Sequence, residues 1–217
     1  MRLSDRALII QQVLNELYPT PQIPLNHINE FTFLIAVVLS AQSTDKKVNE
    51  LTQSLFLLAK EPQEIIDLGY DKVYDSIKYL GLAKTKAKNI ISLSNQLLQR
   101  HKGYVPNTFE ELESLSGVGH KTASVVMSQV FNYPAFPVDT HIHRLAQRWG
   151  LTNGKNVKTT EQDLKRIFPK DSWNKLHLQI IFYGREFCTA RKCDGRVCQL
   201  CTTLFPKRTK PFIHIKA

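Results

Sequence analysis

The sequence predicts an all-α protein, and three observations carry that expectation. Apolar residues recur every three or four positions from end to end, as in helices that bury one face. No run alternates apolar and polar residues between turn signals, as a half-buried strand would. The longest apolar run, residues 31–41 with Thr32 and Ser40 inside it, is far short of the roughly 20 residues of a membrane span. With 217 residues, 42% hydrophobic and 22% charged, the chain is long enough to bury a core and too apolar to be disordered.

The elements follow in order. Leu3, Ala7, Ile10, Leu14 and Leu17 line one face of a first helix that stops before Pro19. The segment PTPQIPLNH, with three prolines, reads as a linker. FTFLIAVVLSA is apolar all round, which fits a helix buried on every side. Three helical stretches come next: VNELTQSLFLLAK, EPQEIIDLGYDKVYDSIKYLG and KTKAKNIISLSNQLLQRHKG. In the last, Ala87, Ile90, Ile91, Leu97 and Leu98 leave one apolar face. Residues 108–130 read as two helices broken by GVG, and residues 140–149, 159–167 and 172–187 as three more. YLGLAKTKAKNI (79–90) faintly echoes LSGVGHKTASVV (115–126), which predicts two similar hairpins.

Charge and cysteine usage narrow the function classes. There are 29 Lys plus Arg against 19 Asp plus Glu, a net charge of +10, and the pI is about 9.5. That surplus favours a polyanionic partner, most often nucleic acid. The N-terminal residues lack the apolar stretch and small-residue cleavage site of a secretory signal, so a cytoplasmic protein is expected. All four cysteines, Cys188, Cys193, Cys198 and Cys201, fall within fourteen residues near the C-terminus. Disulfides that staple a fold are spread more widely, so this loop points to one metal centre.

LESLSGVGHKTASVV is the most informative stretch. Leu112 and Leu115 anchor the end of one helix, and Val118 is an apolar plug between Gly117 and Gly119. The glycines permit backbone angles and close approaches that side chains block. Such a turn aims unpaired N–H groups outward at a helix N-terminus, where an anion is favoured. It is suited to a backbone phosphate, gripped without reading base sequence. A tight helix–helix turn with glycines only for geometry is the plainer reading of the same residues.

These residues resemble the helix-hairpin-helix of the DNA glycosylase superfamily, and in particular the bacterial endonuclease III family. LSAQSTDKKVN (39–49), GLAKTKAKNI (81–90), ELESLSGVGHKTASVV (111–126), FPVDTHIHRLAQR (136–148) and FYGREFCTARKC (182–193) are similar to that family's segments in order and distance. The resemblance implies two helical lobes flanking a DNA-binding cleft, residues 23–133 forming one and residues 1–22 with 134–217 the other. It implies a bifunctional DNA glycosylase and AP lyase of base excision repair that removes oxidised pyrimidines. Its partner would be duplex DNA carrying such bases or abasic sites, met as a monomer, away from membranes and at the bacterial nucleoid.

Site residues follow from the same match. Lys121, at the start of the hairpin's second helix, would be the amine that forms a Schiff base with the sugar. Asp139 lies eighteen residues later and would stabilise the charge growing on the sugar. Its position after Pro137 and before a helix also makes it a natural N-cap. Glu113 would organise water, although an exposed helix glutamate needs no such role. Gln42 would fill the gap left by an extruded base, and Leu82 would wedge at the opposite strand unless it is a core leucine. Asp45 matches a pocket residue and His141 a DNA contact. His141 and His143 are two apart and point to different faces, which argues against a zinc pair. Ser116 stands where the family has proline.

Two departures bear on the reading. A related adenine glycosylase shares the Asp but lacks the hairpin Lys and carries a further C-terminal domain, whereas this chain has Lys121 and ends sixteen residues after Cys201. A non-catalytic hairpin module would need neither Lys121 nor Asp139. The family's C-x6-C-x2-C-x5-C pattern holds a [4Fe–4S] cluster; here the spacing is C-x4-C-x4-C-x2-C. The resemblance implies the cluster on Cys188, Cys193, Cys198 and Cys201, with tetrahedral zinc or an empty loop as the alternatives. The loop's Arg185, Arg191, Lys192 and Arg196 would then face DNA phosphates.

Overall fold

The structure, a computed structural model, describes residues 1–216. Among them are helices and turns but no strand, as the periodicity predicts. The chain divides into two compact units, one of Ile23–Tyr133 and the other of Met1–Gln22 with the chain from Pro134 onward.

The first unit holds α2 (Glu30–Ser40), α3 (Asp45–Leu58), α4 (Pro62–Ile77), α5 (Ala83–His101), α6 (Phe109–Glu113) and α7 (His120–Gln129). α2 is its axis, with every residue from Phe31 to Leu39 buried. Its start is fixed by a reciprocal cap in which the Thr32 N–H donates to Asn29 Oδ1 (2.9 Å) and the Asn29 N–H to Thr32 Oγ1 (2.9 Å). Such a cap contributes about 1 kcal/mol and satisfies donors the helix cannot. α4 does not run unbroken, as the sequence had suggested: Gly69 adopts φ 73°, ψ 170° and kinks it. That region favours glycine, so the break sits where the chain has a residue that tolerates it.

The buried stripe of α5 is Ala83, Lys86, Ala87, Ile90, Leu93, Ser94 and Leu97. It keeps Ala87, Ile90 and Leu97 of the apolar face read in the sequence, leaves Ile91 and Leu98 only half-buried, and includes one charged residue, Lys86, which is only 4% exposed. α5 ends at Lys102 and Gly103, both left-handed, with the Gly103 N–H donating to Leu97 O (2.9 Å). This is the helix stop that glycine makes easy.

The predicted echo of two hairpins is offset by one residue. Gly81 and Gly117 correspond in sequence, but only Gly117 is left-handed, at φ 80°. In the earlier copy the left-handed residue is Leu82, which is the N-cap of α5, whereas α7 starts from Gly119.

The second unit holds α1 (Leu3–Leu17), α8 (Thr140–Arg148), α9 (Val157–Ile167), α10 (Trp173–Glu186) and α11 (Gln199–Leu204). Ile10 and Leu14 of α1 share a core with Ile142, Leu145, Trp149, Leu164, Ile180 and Tyr183. The four cysteines belong to the same core. No described helix is long and apolar enough to cross a membrane.

Candidate active site

The hairpin is built from the inside outward. Leu112, Leu115 and Val118 are buried in the first unit's core, so the turn is held by its apolar side chains. The Val118 N–H donates to Leu115 O (3.1 Å), leaving Val118 as a plug rather than a donor to a ligand. Gly117 needs to be glycine twice over: its φ is left-handed, and a Cβ there would lie 2.8 Å from Asn89 Nδ2. Gly119 is different, with an extended φ of −100° and open space around its missing Cβ. Lacking a side chain, Gly119 gives α7 no side-chain cap hydrogen bond.

Two ties that the sequence reading missed lock this turn. The Ser116 N–H donates to Gln96 Oε1 (2.8 Å), and Ser116 Oγ meets Ser92 Oγ at 2.7 Å. A proline at this place would lack that N–H. Across the hairpin, Glu113 Oε1 meets His120 Nδ1 at 2.8 Å, and His120 stacks on Phe109 at 5.8 Å. The seven-residue separation of Glu113 and His120 is the only hint in the sequence, and it becomes a contact once the turn is known. Both side chains are well exposed, so the pair contributes at most about 1 kcal/mol. Lys121 is exposed on the first turn of α7, next to His120.

Gln42 and Leu82 share an uncommon geometry. Among the described residues, four that are not glycine have positive φ: Gln42, Leu82, Lys102 and Asn132. Lys102 ends α5, and Asn132 follows α7. Gln42, at φ 55°, lies in the link between α2 and α3, and Leu82, at φ 61°, begins α5. Such backbone costs about 1–3 kcal/mol at each residue and persists only where the surroundings enforce it. Leu82 is 58% exposed, so it is not a core leucine. Asp45 is half-buried in the first turn of α3.

Asp139 is the N-cap of α8, and the Ile142 N–H donates to its Oδ1 at 2.8 Å. The cap leaves Oδ2 for other work and fixes the carboxylate in place. His141 is packed against Gly184 of α10, where Arg144 Nη2 donates to its Nδ1 (3.3 Å). Burial is the main cause that pushes the His141 pKa down, and the neighbouring Arg144 adds to it. His143 turns instead to Thr160 of α9 (2.8 Å). The two histidines therefore serve different contacts.

The four cysteines converge, with all Sγ atoms within 4.8 Å of one another and all four side chains buried. Cys188 Sγ lies 3.5 Å from Cys193 Sγ and 3.8 Å from Cys201 Sγ. Arg148, buried beneath the loop, donates from Nη1 to Cys188 Sγ (3.3 Å) and to Thr189 O (3.0 Å). Arg144 Nη2 donates to Gly184 O and Cys188 O, both at 3.1 Å. The Nε of each arginine is buried with no hydrogen-bond partner among the described residues. Two buried guanidiniums and their spare donors fit an anionic thiolate centre, since isolated buried cations are costly. Within the group, Cys198 is favoured as a thiolate by hydrogen bonds from Cys188 and Cys201.

The basic loop is less available than its sequence suggests. Arg191 and Lys192 are exposed, but Arg196 is occupied: its Nε donates to Asp194 Oδ2 (3.1 Å) and its Nη1 to Thr209 O (2.9 Å). Arg196 therefore braces the cysteine loop instead of offering a free charge.

Residues 35–170 match the family described as HhH-GPD superfamily base excision DNA repair protein, which defines the class. Endonuclease III of Haemophilus influenzae is 44% identical over 179 residues, covering 82% of this chain and 85% of that protein. Endonuclease III of Treponema pallidum is 43% identical over 202 residues, covering 92% and 96%. A solved trapped endonuclease III–DNA covalent intermediate, an estranged-adenine complex, aligns with TM-score 0.86 and 35% identity over 94% of this chain and 99% of that one. The chain belongs to the endonuclease III family, and its activity is that of a base excision repair DNA glycosylase and AP lyase.

The two hairpin glycines should separate under mutation. Gly117→Ala should lower stability by about 1–3 kcal/mol in a denaturant titration, because it strains φ and strikes Asn89. Gly119→Ala should leave the midpoint unchanged yet weaken binding to a fluorescent duplex, because its methyl occupies the space a phosphate would need.

Proposed function

We propose that the chain removes oxidised pyrimidines from duplex DNA with Lys121 as nucleophile, then cuts the strand at the abasic site. The observation that carries this reading is the placement of Lys121, exposed on the first turn of α7 directly after the uncapped Gly119. A phosphate held on the first N–H groups of α7 brings the sugar of the bound strand beside the amine. The Lys121 nitrogen bonds to C1′ as the glycosidic bond breaks, one amine proton passing to the departing base; the C1′–O4′ bond then opens, O4′ taking the second amine proton, which leaves the imine. The resulting imine makes the C2′ proton acidic, and its loss expels the 3′ phosphate by β-elimination. Water then hydrolyses the imine and returns the free amine.

The other residues take supporting parts. Asp139, fixed by its cap, stabilises positive charge on the sugar while the base leaves. Glu113 orders water near the hairpin while paired to His120. Gln42 and Leu82 enter the duplex, one filling the space of the extruded base and the other parting the opposite strand. A solved relative holds DNA with an estranged adenine, which supports the same opening of the pair here. Val118 keeps the two glycines in register, and His141, Arg191 and Lys192 contribute contacts to the backbone.

For the cysteine centre we propose a [4Fe–4S] cluster, as the family's pattern implies. Four buried thiols beside Arg148 match it in number and charge. Its part would be to shape the loop of Arg191 and Lys192, with no role in bond breaking. A single zinc ion is the second reading, and the spacing favours it. Thiolates about 2.3 Å from one tetrahedral ion lie about 3.8 Å apart, whereas a cubane spreads its four thiolates over four irons. The Cys188–Cys201 distance of 3.8 Å is the single-ion value.

Lys121→Gln should abolish both base release and strand cleavage in single-turnover assays on a thymine glycol duplex, with duplex affinity retained. Asp139→Asn should slow base release by about a hundredfold or more while cutting a preformed abasic site more nearly normally. Asparagine caps a helix as well as aspartate, so its melting temperature should hold; Asp139→Ala should cost about 1 kcal/mol more. Unchanged base release in Asp139→Asn, with loss only in Asp139→Ala, would leave only the cap role.

Anaerobic purification followed by iron, sulfide and zinc analysis decides the centre. Four irons and four sulfides per chain are expected for the cluster. A colourless protein with one zinc selects the second reading and leaves the roles of Lys121 and Asp139 intact.

A further inference from the structure

Lys86 is a buried ammonium that the chemistry above does not use. It sits on the inner stripe of α5 among Ala83, Ala87 and Ile90, where an apolar side chain would be the ordinary choice. Its side chain makes one hydrogen bond, from Nζ to Ser43 Oγ at 2.9 Å. No carboxylate among the described residues offsets its charge, and burial pushes its pKa down. At 4% exposure it cannot reach a phosphate, and it is too enclosed to serve as a second amine for a sugar.

What it touches gives it a different use. Ser43 directly follows Gln42 in the link between α2 and α3. At its other end Lys86 meets the second left-handed residue, since the Lys86 N–H donates to Leu82 O at 2.9 Å. The two segments also lie against each other: a Cβ on Gly81 would be 3.7 Å from Gln42 O. One residue is thus bonded to both segments that present an exposed side chain from a strained backbone. Left-handed Gln and Leu relax toward extended backbone unless something holds them.

We infer that Lys86 is a positioning residue that ties the Gln42 and Leu82 segments together, so that their side chains enter the duplex as one preformed pair. The inference rests on the proposed insertion of Gln42 and Leu82. Holding both segments in place before binding removes the ordering cost from the step in which the base pair opens.

The test uses the full chain with 2-aminopurine placed opposite a thymine glycol, where unstacking of the partner base raises fluorescence. Lys86→Met keeps length and burial but loses the ammonium, and Ser43→Ala loses the acceptor while keeping the lysine. Both should reduce the fluorescence rise and slow base release from duplex by about tenfold or more. Neither should slow cleavage of an abasic single strand, which has no pair to open, and Lys86→Arg should restore part of the signal. A wild-type fluorescence rise in both variants would overturn the inference. So would single-strand cleavage lost in proportion, which marks collapse of the unit and not loss of a tie. A Gln42→Ala, Leu82→Ala double variant run in parallel separates the layers. If it opens the pair normally, the insertion reading fails and takes this inference with it. If it alone loses opening, only the role of Lys86 fails.

Discussion

The left-handed backbone of Gly117, pressed against the side chain of Asn89, is the constraint on which the hairpin depends. It lets Leu115 and Val118 both reach the core on either side of a turn of only a few residues. It leaves Gly119 to start α7 with no side chain over its N-terminus. Lys121 inherits its exposed position from that start. A side chain at Gly117 would have to displace that of Asn89 on α5, and the ties from Ser116 to Gln96 and Ser92 show how closely α5 and the turn are joined. The proposed chemistry, an amine beside a held phosphate, would thereby rest on rigid elements.

A second theme is charge put where it is costly and then used. In the first unit Lys86 is buried with only Ser43 for its ammonium. In the second, Arg144 and Arg148 are buried under the cysteine loop and give their donors to carbonyls and to Cys188. Replacing such groups by apolar ones of similar size is often neutral for stability. Their presence points to positioning: of two strained segments in one case, and of an anionic sulfur centre in the other.

Several of these features were legible in the sequence for simple reasons. A run that is apolar all round, such as Phe31 to Leu39, has no solvent-facing option, and α2 is buried throughout. Four cysteines in fourteen residues cannot lie far apart, and they meet. The glycines of GVG announced a turn. Other features were hidden because periodicity reports burial only through apolar residues. Lys86, Arg144 and Arg148 read as solvated charges until tertiary contacts are known. The left-handed angles of Gln42 and Leu82 are imposed by packing, and neither residue type signals them. Arg196 looked like a free cation because its partner Asp194, two residues away, is no neighbour in a helix. The kink in α4 was foreshadowed by Gly69, but an isolated glycine inside a helical pattern more often leaves it continuous.

The account stands or falls on whether the Lys121 amine becomes covalently joined to the sugar. Borohydride reduction of the protein on a duplex with one abasic site freezes any Schiff base as a stable amine, and digestion with mass spectrometry locates it. The expected result is a single cross-linked peptide with the sugar on Lys121. An adduct on another lysine, or cleavage of the abasic strand with no adduct at all, would contradict the account.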